Sequence, residues 1–352
     1  MRWSLAILSI CLLAAVAAGL CVAADTPSPV NAPAGGRSIA PSLLPKGDIT
    51  IPQIGIELIH VPAGQFMVGS PKSEHERYTD EPTPTLVAFS KEFWLGRTVV
   101  TQGQWQALMG NNPSKFVGLG KDAPVEQVSW DDAMAFGQKL TELERAAGRL
   151  PEGYIYTLPT EAQWEVACRA GTQTPYAGNL DDMAWYANNG GITTHVVAQK
   201  QPNAWGFYDM HGNVWEWTST WYSAGMLGRS GGKDPAGPSV GKLRVLRGGS
   251  FEMAAVPARS SYRFHLPPET KKYSIGFRIA LTVPPRPEVP QLGSGGRGGK
   301  GRRGPQTQPD VNQQIDAQQQ VNDADVPVNN ADVIPNEPVQ PAVPQTQPGA
   351  GT

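Results

Sequence analysis

Once an apolar leader is set aside, nearly all of the aromatic and aliphatic residues lie in one stretch, residues 48–283. A stretch of roughly 235 residues is long enough to bury one sizeable core. After it comes a Gly-rich basic segment, residues 293–304, and then a Gln/Asn/Pro/Asp tract without aromatic residues. Such a tract cannot bury enough surface to offset the entropy of ordering it. The sequence therefore predicts one folded domain, followed by a disordered tail over residues 284–352.

The tail carries four basic residues close together, and two interpretations of them stay open. They are Arg297, Lys300, Arg302 and Arg303. They could contact an anionic polymer or a cell-wall surface, or they could belong to a solvated spacer.

The amino terminus has the pattern of a secretory signal. Met1 and Arg2 precede an apolar run from Leu5 to about Ala24. Small residues before Asp25 predict a signal peptide over 1–24, then a Pro/Ala/Gly/Ser-rich linker over 25–47. Two alternatives remain: an uncleaved membrane anchor, and lipidation of Cys21, which the preceding Leu disfavours. We expect a periplasmic, extracellular or cell-surface protein that contacts the membrane only if the signal is retained.

Cysteine usage and charge narrow the possibilities further. Cys11 and Cys21 belong to the leader, so Cys168 is the one cysteine expected in the mature chain, and an internal disulfide is impossible. The formal net charge is −2, which gives no electrostatic footprint for nucleic acid.

Three capping patterns predict helices. Ser129 begins one that ends before Gly148, with Ala133, Phe136, Leu140 and Leu143 on one face. Thr160 begins a second that runs to about Arg169, and Thr101 begins a short third that ends near Gly110.

Short strands are predicted between and after these helices, separated by long Gly/Pro/Asn loops. The candidates are residues 54–61, 92–96, 243–247 and 276–283. They do not alternate regularly with the helices, which argues against a parallel sheet and predicts an α+β domain.

A series of motifs along the whole domain carries a family resemblance. In order, they are Gly64–Ser70, Glu81–Pro82, Val99–Trp105, Val128–Ala133, Leu158–Glu165, Asn203–Trp217, Arg247–Phe251 and Ile275–Arg278. Together they resemble the sulfatase-modifying factor family, to which the formylglycine-generating enzymes belong. The resemblance implies a fold related to C-type lectins, with low secondary-structure content and long loops.

The resemblance also implies a chemistry that this chain lacks the residues for. Family enzymes that make formylglycine bind copper(I) through two cysteines just after the Gly-Gly-Ser motif, because soft thiolates select that ion. Here that stretch contains no cysteine, and none follows Cys168 anywhere. Met253 could ligate copper(I) but cannot exchange with a substrate thiol. We therefore expect neither copper nor the oxidation of sulfatases.

The strongest remaining site candidate in the sequence is the segment from Asp209 to Glu216. Two carboxylates flank a turn at Gly212, so their oxygens and nearby carbonyls could converge on a hard cation. The resemblance implies a structural calcium there, with ligands Asp209, Met210, Gly212, Val214 and Glu216. The alternative is a turn with hydrogen-bonded carboxylates. A second family calcium is matched only in part, by Asn188 and Asn189.

Other candidate groups are weaker. The resemblance places Ser250 and Glu252 on the wall of the family's catalytic groove, but no histidine lies nearby in sequence to make a nucleophile elbow. Cys168 is expected to be a buried, inert thiol. The aromatic set could line a groove or pack in the core; it comprises Trp205, Phe207, Tyr208, Trp215, Trp217 and Trp221.

Two functional hypotheses follow, and the fold alone cannot choose between them. The first is an exported, calcium-stabilised binding or scaffold module for a protein, peptide or glycan. The second is a cysteine-independent oxidoreductase that uses the same groove on a peptide-derived substrate, as the pyoverdine-maturation branch of the family does. The first is favoured because the sequence contains no complete catalytic constellation. A third idea, pairing with a true formylglycine enzyme, is neither supported nor opposed.

Overall fold

A computed structural model describes residues 47–224 and 232–284. The predicted signal peptide, nearly all of the linker and all of the tail after Pro284 lie outside the described residues. No helix in the described part is long and apolar enough to cross a membrane.

The three predicted helices are present, and each begins with a capping box. They are Gln102–Met109 (α1), Trp130–Ala146 (α2) and Glu161–Arg169 (α3), with caps Thr101, Ser129 and Thr160. In each cap the hydroxyl accepts an N3 amide, and the N3 side chain accepts the N-cap amide. The predicted inner face of α2 is buried except at Leu143, which is 37% exposed. A short fourth helix, Leu180–Met183 (α4), was not predicted.

The larger sheet has five antiparallel strands. They are Ile49–Ile51 (β1), Ile56–Val61 (β2), Phe93–Gly96 (β5), Ile155–Thr157 (β6) and Ala280–Thr282 (β11), in the order β1-β2-β5-β11-β6. The predicted strands at 54–61 and 92–96 correspond to β2 and β5.

A second sheet and a hairpin complete the domain. The sheet contains Trp215–Trp221 (β7), Arg244–Arg247 (β8), Phe264–Leu266 (β9) and Ile275–Gly276 (β10), in the order β10-β7-β8-β9. Its β10–β7 pair is parallel, and the other pairs are antiparallel. The hairpin joins Gly64–Val68 (β3) to Thr85–Phe89 (β4). The α+β prediction is confirmed.

The strand predicted over 276–283 is divided between the two sheets. β10 pairs with β7, whereas β11 pairs with β5 and β6. A Cβ on Gly276 would lie 2.6 Å from the Val125 carbonyl oxygen, so the chain passes too close to Val125 for a side chain. Arg278, in the connection between the strands, is fully buried. Tertiary packing thus interrupts a run that appears continuous in sequence.

Buried arginine–glutamate pairs connect the elements. Arg247 at the end of β8 donates to Glu165 of α3 at 2.5 Å, and Arg263 donates to Glu161 at 2.6 Å. Because each charge is buried with a hydrogen-bonded partner, removing one partner would leave the other uncompensated. These two pairs therefore link α3 to β8 and to the residue just before β9.

Candidate functional site

Ser250 follows β8 on the turn made by Gly248 and Gly249. Gly249 has φ +73°, and a Cβ there would lie 3.0 Å from the Ala258 amide nitrogen, so the turn requires glycine. The side chain of Ser250 is 1% exposed, and its Oγ makes no hydrogen bond within the described structure. No base is therefore in position to activate this hydroxyl.

Glu252 is more exposed than Ser250 and is hydrogen-bonded to an aromatic residue. Its carboxylate accepts a hydrogen bond from the Tyr273 hydroxyl at 2.9 Å, which raises the pKa of Tyr273. Lys115 Nζ lies 4.2 Å from the Tyr273 ring centroid, within cation–π range. The ring of Phe116 is 6.0 Å from that of Phe251 and 5.9 Å from that of Tyr273. We call Lys115, Phe116, Phe251, Glu252 and Tyr273 the Tyr273 face.

The Tyr273 face extends over residues that sequence reasoning missed. Val117 and Leu119, directly after Phe116, are 57% and 37% exposed. Glu126 Oε1 accepts the Phe116 amide at 2.8 Å, whereas its buried Oε2 has no partner within the described residues. Burial raises the pKa of Glu126. No sequence signal links these loops, because they meet only in the folded chain.

The two predicted calcium carboxylates have different surroundings. Asp209 is 2% exposed; its Oδ2 accepts the Ala198 amide at 2.9 Å, and its Oδ1 has no hydrogen-bond partner in the part of the chain that the structure describes. Glu216 is fully buried, and its two oxygens accept Arg278 Nε and Nη2 at 2.6 and 2.7 Å. Trp164 Nε1 also donates to Glu216, at 2.7 Å. Within the described residues, Asp209 thus keeps one oxygen without a partner, whereas both Glu216 oxygens are engaged by the Arg278 cation and cannot serve as free metal ligands.

The predicted backbone ligands lie in the tight turn between these carboxylates. Gly212 has φ +99°, and a Cβ there would lie 2.1 Å from the Trp185 carbonyl oxygen. Met210 and Val214 are buried. Burial raises the pKa of Asp209 to about 6, against the opposing Ala198 hydrogen bond and the charge of Arg278. The segment thus contains a buried carboxyl whose ionised form is poorly compensated.

Asn188 and Asn189, the partial match to a second calcium site, take part in local hydrogen bonds. Asn189 Oδ1 accepts the Tyr186 amide, and its Nδ2 donates to the Ala184 carbonyl, both at 3.0 Å. Asn188 Nδ2 donates to the Tyr186 hydroxyl at 3.2 Å. Within the described residues, no group of three or more His, Cys, Asp or Glu side chains could hold a metal.

Cys168 is buried, as predicted, and it lies beside a histidine. Its Sγ is 3.7 Å from His211 Nε2 and 3.6 Å from Ser260 Oγ. Burial raises the thiol pKa to about 12 and lowers the His211 pKa to about 4. His211 Nδ1 lies 2.7 Å from the Ala258 carbonyl oxygen, so it carries the proton, and Nε2 accepts the Ala177 amide. This contact therefore holds a neutral thiol and a neutral imidazole.

The predicted aromatic set divides between core and surface. Phe207, Trp215 and Trp217 are at most 4% exposed and belong to the core clusters. Trp205, Tyr208 and Trp221 are partly buried. Core packing thus accounts for half of the set.

Comparisons with known proteins agree on the family. The model of the sulfatase-modifying factor enzyme 1-like domain matches residues 52–283. The formylglycine-generating enzyme of Streptomyces coelicolor is 34% identical over 181 residues, which cover 45% of this chain and 52% of the enzyme. The chain thus spans about half of that relative's length. The chaperone protein LppX of Paenibacillus barcinonensis is 30% identical over 253 residues, which cover 58% of this chain and 82% of that protein.

Two solved structures have similar folds. Treponema denticola variable protein 1 has 31% identity and a TM-score of 0.57, with 66% of this chain and 97% of that chain covered. PvdO from Pseudomonas aeruginosa has 25% identity and a TM-score of 0.59, with 68% and 99% covered.

Proposed function

Because the chain belongs to the sulfatase-modifying factor enzyme 1-like domain family, we propose that it is a non-catalytic member that binds polypeptide at the Tyr273 face. One observation carries this proposal. On the wall after Gly249, the Ser250 hydroxyl is enclosed without a base and Glu252 is bound to Tyr273. The same surface exposes apolar and aromatic side chains that a partner's side chains would cover.

The absence of a cysteine after the Gly-Gly-Ser motif supports a role other than sulfatase oxidation. The positions that follow Ser250 include Met253 and Ala258, and Cys168 precedes the motif in sequence. The burial that raises the pKa of Cys168 to about 12 keeps this thiol from acting as a nucleophile at neutral pH. We therefore propose that the protein does not generate formylglycine.

Coverage of the relatives supports binding of a polypeptide rather than a glycan. The relative named a chaperone aligns over 82% of its length, compared with about half for the Streptomyces coelicolor enzyme. Apolar residues beside a Lys and a Glu suit an extended chain with mixed side chains. We also propose that the signal peptide directs export and that calcium binds at Asp209. Bound calcium would compensate the charge of that buried carboxylate.

The experiment measures binding and turnover on the mature chain. Fluorescence anisotropy with labelled, reduced and carboxymethylated α-lactalbumin supplies an unfolded probe. We expect saturable binding that Tyr273→Ala weakens about tenfold, since removing an interface aromatic commonly costs more than 1 kcal/mol. The matched control is Leu86→Ala, another exposed apolar residue, on β4, which should bind like wild type. Equal binding by wild type and both variants, or no binding by wild type, would refute the proposal.

The oxidoreductase alternative is tested in parallel. Oxygen consumption is followed with thiol-containing peptides, with and without copper or iron. Turnover that Ser250→Ala or Glu252→Gln abolishes would overturn the binding proposal in favour of an enzyme.

A further inference from the structure

Within the described residues, one buried arginine differs from all the others in its surroundings. Six arginines are buried, and five of them pair with a glutamate: Arg169, Arg247, Arg259, Arg263 and Arg278. Arg244 on β8 is 8% exposed and has no carboxylate partner. Among the described residues, no carboxylate forms an ion pair with this buried cation.

Two tryptophans enclose the Arg244 guanidinium. Its central carbon lies 3.6 Å from the Trp130 ring centroid and 3.3 Å from that of Trp221. The two indoles are 6.3 Å apart and inclined by only 22°. Trp130 is held in place because its Nε1 donates to the Thr218 carbonyl at 2.9 Å. The three side chains form a stack that is fixed before any ligand arrives.

The hydrogen-bonding capacity of Arg244 is mostly unused. Nη1 donates to the Ser219 carbonyl at 2.7 Å, whereas the buried Nε has no partner within the described residues. Nη2 makes no hydrogen bond to any residue that the structure describes. Burial lowers the pKa of Arg244 to about 10, opposed by the charge of exposed Asp131 at the start of α2. A buried ionised donor left in this state costs free energy that a bound anion would recover.

We propose that Arg244, between Trp130 and Trp221, binds a carboxylate from an acidic segment of a peptide partner. The gap between the indoles accommodates a single planar layer, which the guanidinium already occupies. A carboxylate can lie in that plane and accept from Nη2, as carboxylates do with arginine. A tetrahedral sulfate or phosphate would project out of the plane into the rings. The indole edges then cover the apolar stem of the glutamate or aspartate.

This site goes beyond the proposed function, since it uses none of the residues of the Tyr273 face. It also accounts for the half-buried position of Trp221, which core packing leaves unexplained. The partner would present an acidic side chain flanked by apolar groups.

The test follows the Arg244 Nε–Hε signal by NMR of the 15N-labelled mature chain at constant ionic strength. The signal is identified by its loss in Arg244→Lys. Probes are N-acetyl-glutamate methylamide, its glutamine analogue, acetate, sulfate and an Asp/Glu-rich octapeptide. We expect saturable shifts with the octapeptide and the glutamate compound, with the octapeptide binding more tightly. The glutamine analogue and sulfate should give no saturable shift.

Variants separate a binding site from a purely structural stack. Arg244→Lys keeps the positive charge but removes the planar guanidinium. It should weaken octapeptide binding about tenfold, as expected for the loss of a charge-assisted hydrogen bond. Asp131→Asn removes the nearby acid without touching the stack and should tighten binding. Arg145→Lys, at an exposed position on the same helix as Trp130, is the control.

Three results would overturn the proposal. One is the absence of any saturable shift in the wild-type protein, and another is sulfate binding as tight as carboxylate binding. The third is acetate binding as tight as octapeptide binding, which would indicate a small free carboxylate in place of a peptide.

Discussion

The two ends of the segment from Asp209 to Glu216 illustrate two ways of burying a carboxylate. Glu216, on β7, accepts hydrogen bonds from Arg278 and Trp164 with both oxygens engaged. Asp209, seven residues earlier, has one backbone amide donor and, among the described residues, one oxygen without a partner. The arginine-paired end is expected to stabilise the fold, whereas the other end costs free energy that a ligand could recover.

The same contrast recurs among the buried arginines. Arg278 and Arg247 are neutralised by glutamates, whereas the contacts of Arg244 within the described residues are two indoles and a carbonyl. Fully compensated charges therefore mark the structural framework of this domain. Uncompensated charges mark the candidate ligand sites.

The largest expected change in stability comes from removing the charge of Glu216, the compensated end. Glu216→Gln removes the charge that Arg278 requires, and should destabilise the protein by about 3–5 kcal/mol in urea unfolding. Glu57→Gln is the matched control, because the exposed Glu57–Arg97 pair, at 2.7 Å, should contribute less than about 1 kcal/mol. Similar losses in the two variants would mean that burial does not set the strength of these pairs.

A substitution at Asp209, the uncompensated end, should instead increase the free energy of unfolding. Asp209→Asn removes an ionised carboxyl whose pKa burial raises to about 6, and should stabilise the metal-free protein at pH 7.5 by up to about 3 kcal/mol. Asparagine also tolerates the backbone here, which has φ 56°.

The pH dependence gives a second measure of the same group. Because the folded-state pKa is raised, wild type should gain stability as pH falls from about 6 towards 4. Asp209→Asn should lose that gain, and exposed Asp182→Asn should keep it. A wild-type curve identical to that of Asp209→Asn would show that Asp209 ionises normally.

Bound calcium should reduce the free-energy cost of the buried Asp209 carboxylate, so that its effect on stability becomes more like that of Glu216. If the ion binds at Asp209, a concentration one hundred times Kd stabilises wild type by about 2.7 kcal/mol and leaves Asp209→Asn unchanged. Thermal unfolding with calcium or with chelator measures this, and mass spectrometry counts calcium, copper and iron per chain. Equal stabilisation of both proteins would place any calcium elsewhere, and stoichiometric copper or iron would favour the oxidoreductase.

The smallest effect is expected at the surface. Tyr273→Phe removes the exposed hydrogen bond to Glu252 and should change the free energy of unfolding by less than about 0.5 kcal/mol. A loss above 1 kcal/mol would give the Tyr273 face a structural role instead of a binding one.

Local patterns were the part of the fold that sequence predicted well. Ser129, Thr160 and Thr101 mark helix starts because a capping box involves residues only three positions apart. The prediction of one continuous strand over residues 276–283 was wrong, because the division into β10 and β11 depends on the close approach of Val125 to Gly276. No local sequence pattern encodes that approach.

The site was predicted only in outline. Motif spacing brought Asp209 and Glu216 forward as a pair, but Arg278 lies 62 residues beyond Glu216 in the chain. Lys115, Phe116 and Tyr273 gave no signal at all, because their contacts join loops from distant parts of the sequence.

The sequence by itself determined the family, the α+β class, the helix starts and the lack of a cysteine after Cys168, since these depend on residue identity and short-range spacing. Only the tertiary structure decided which carboxylates are neutralised, which aromatic residues stay at the surface and that no described carboxylate pairs with Arg244. The reason is physical: the free energy of a buried charge depends on partners brought within about 3 Å by folding, and chain order does not specify them.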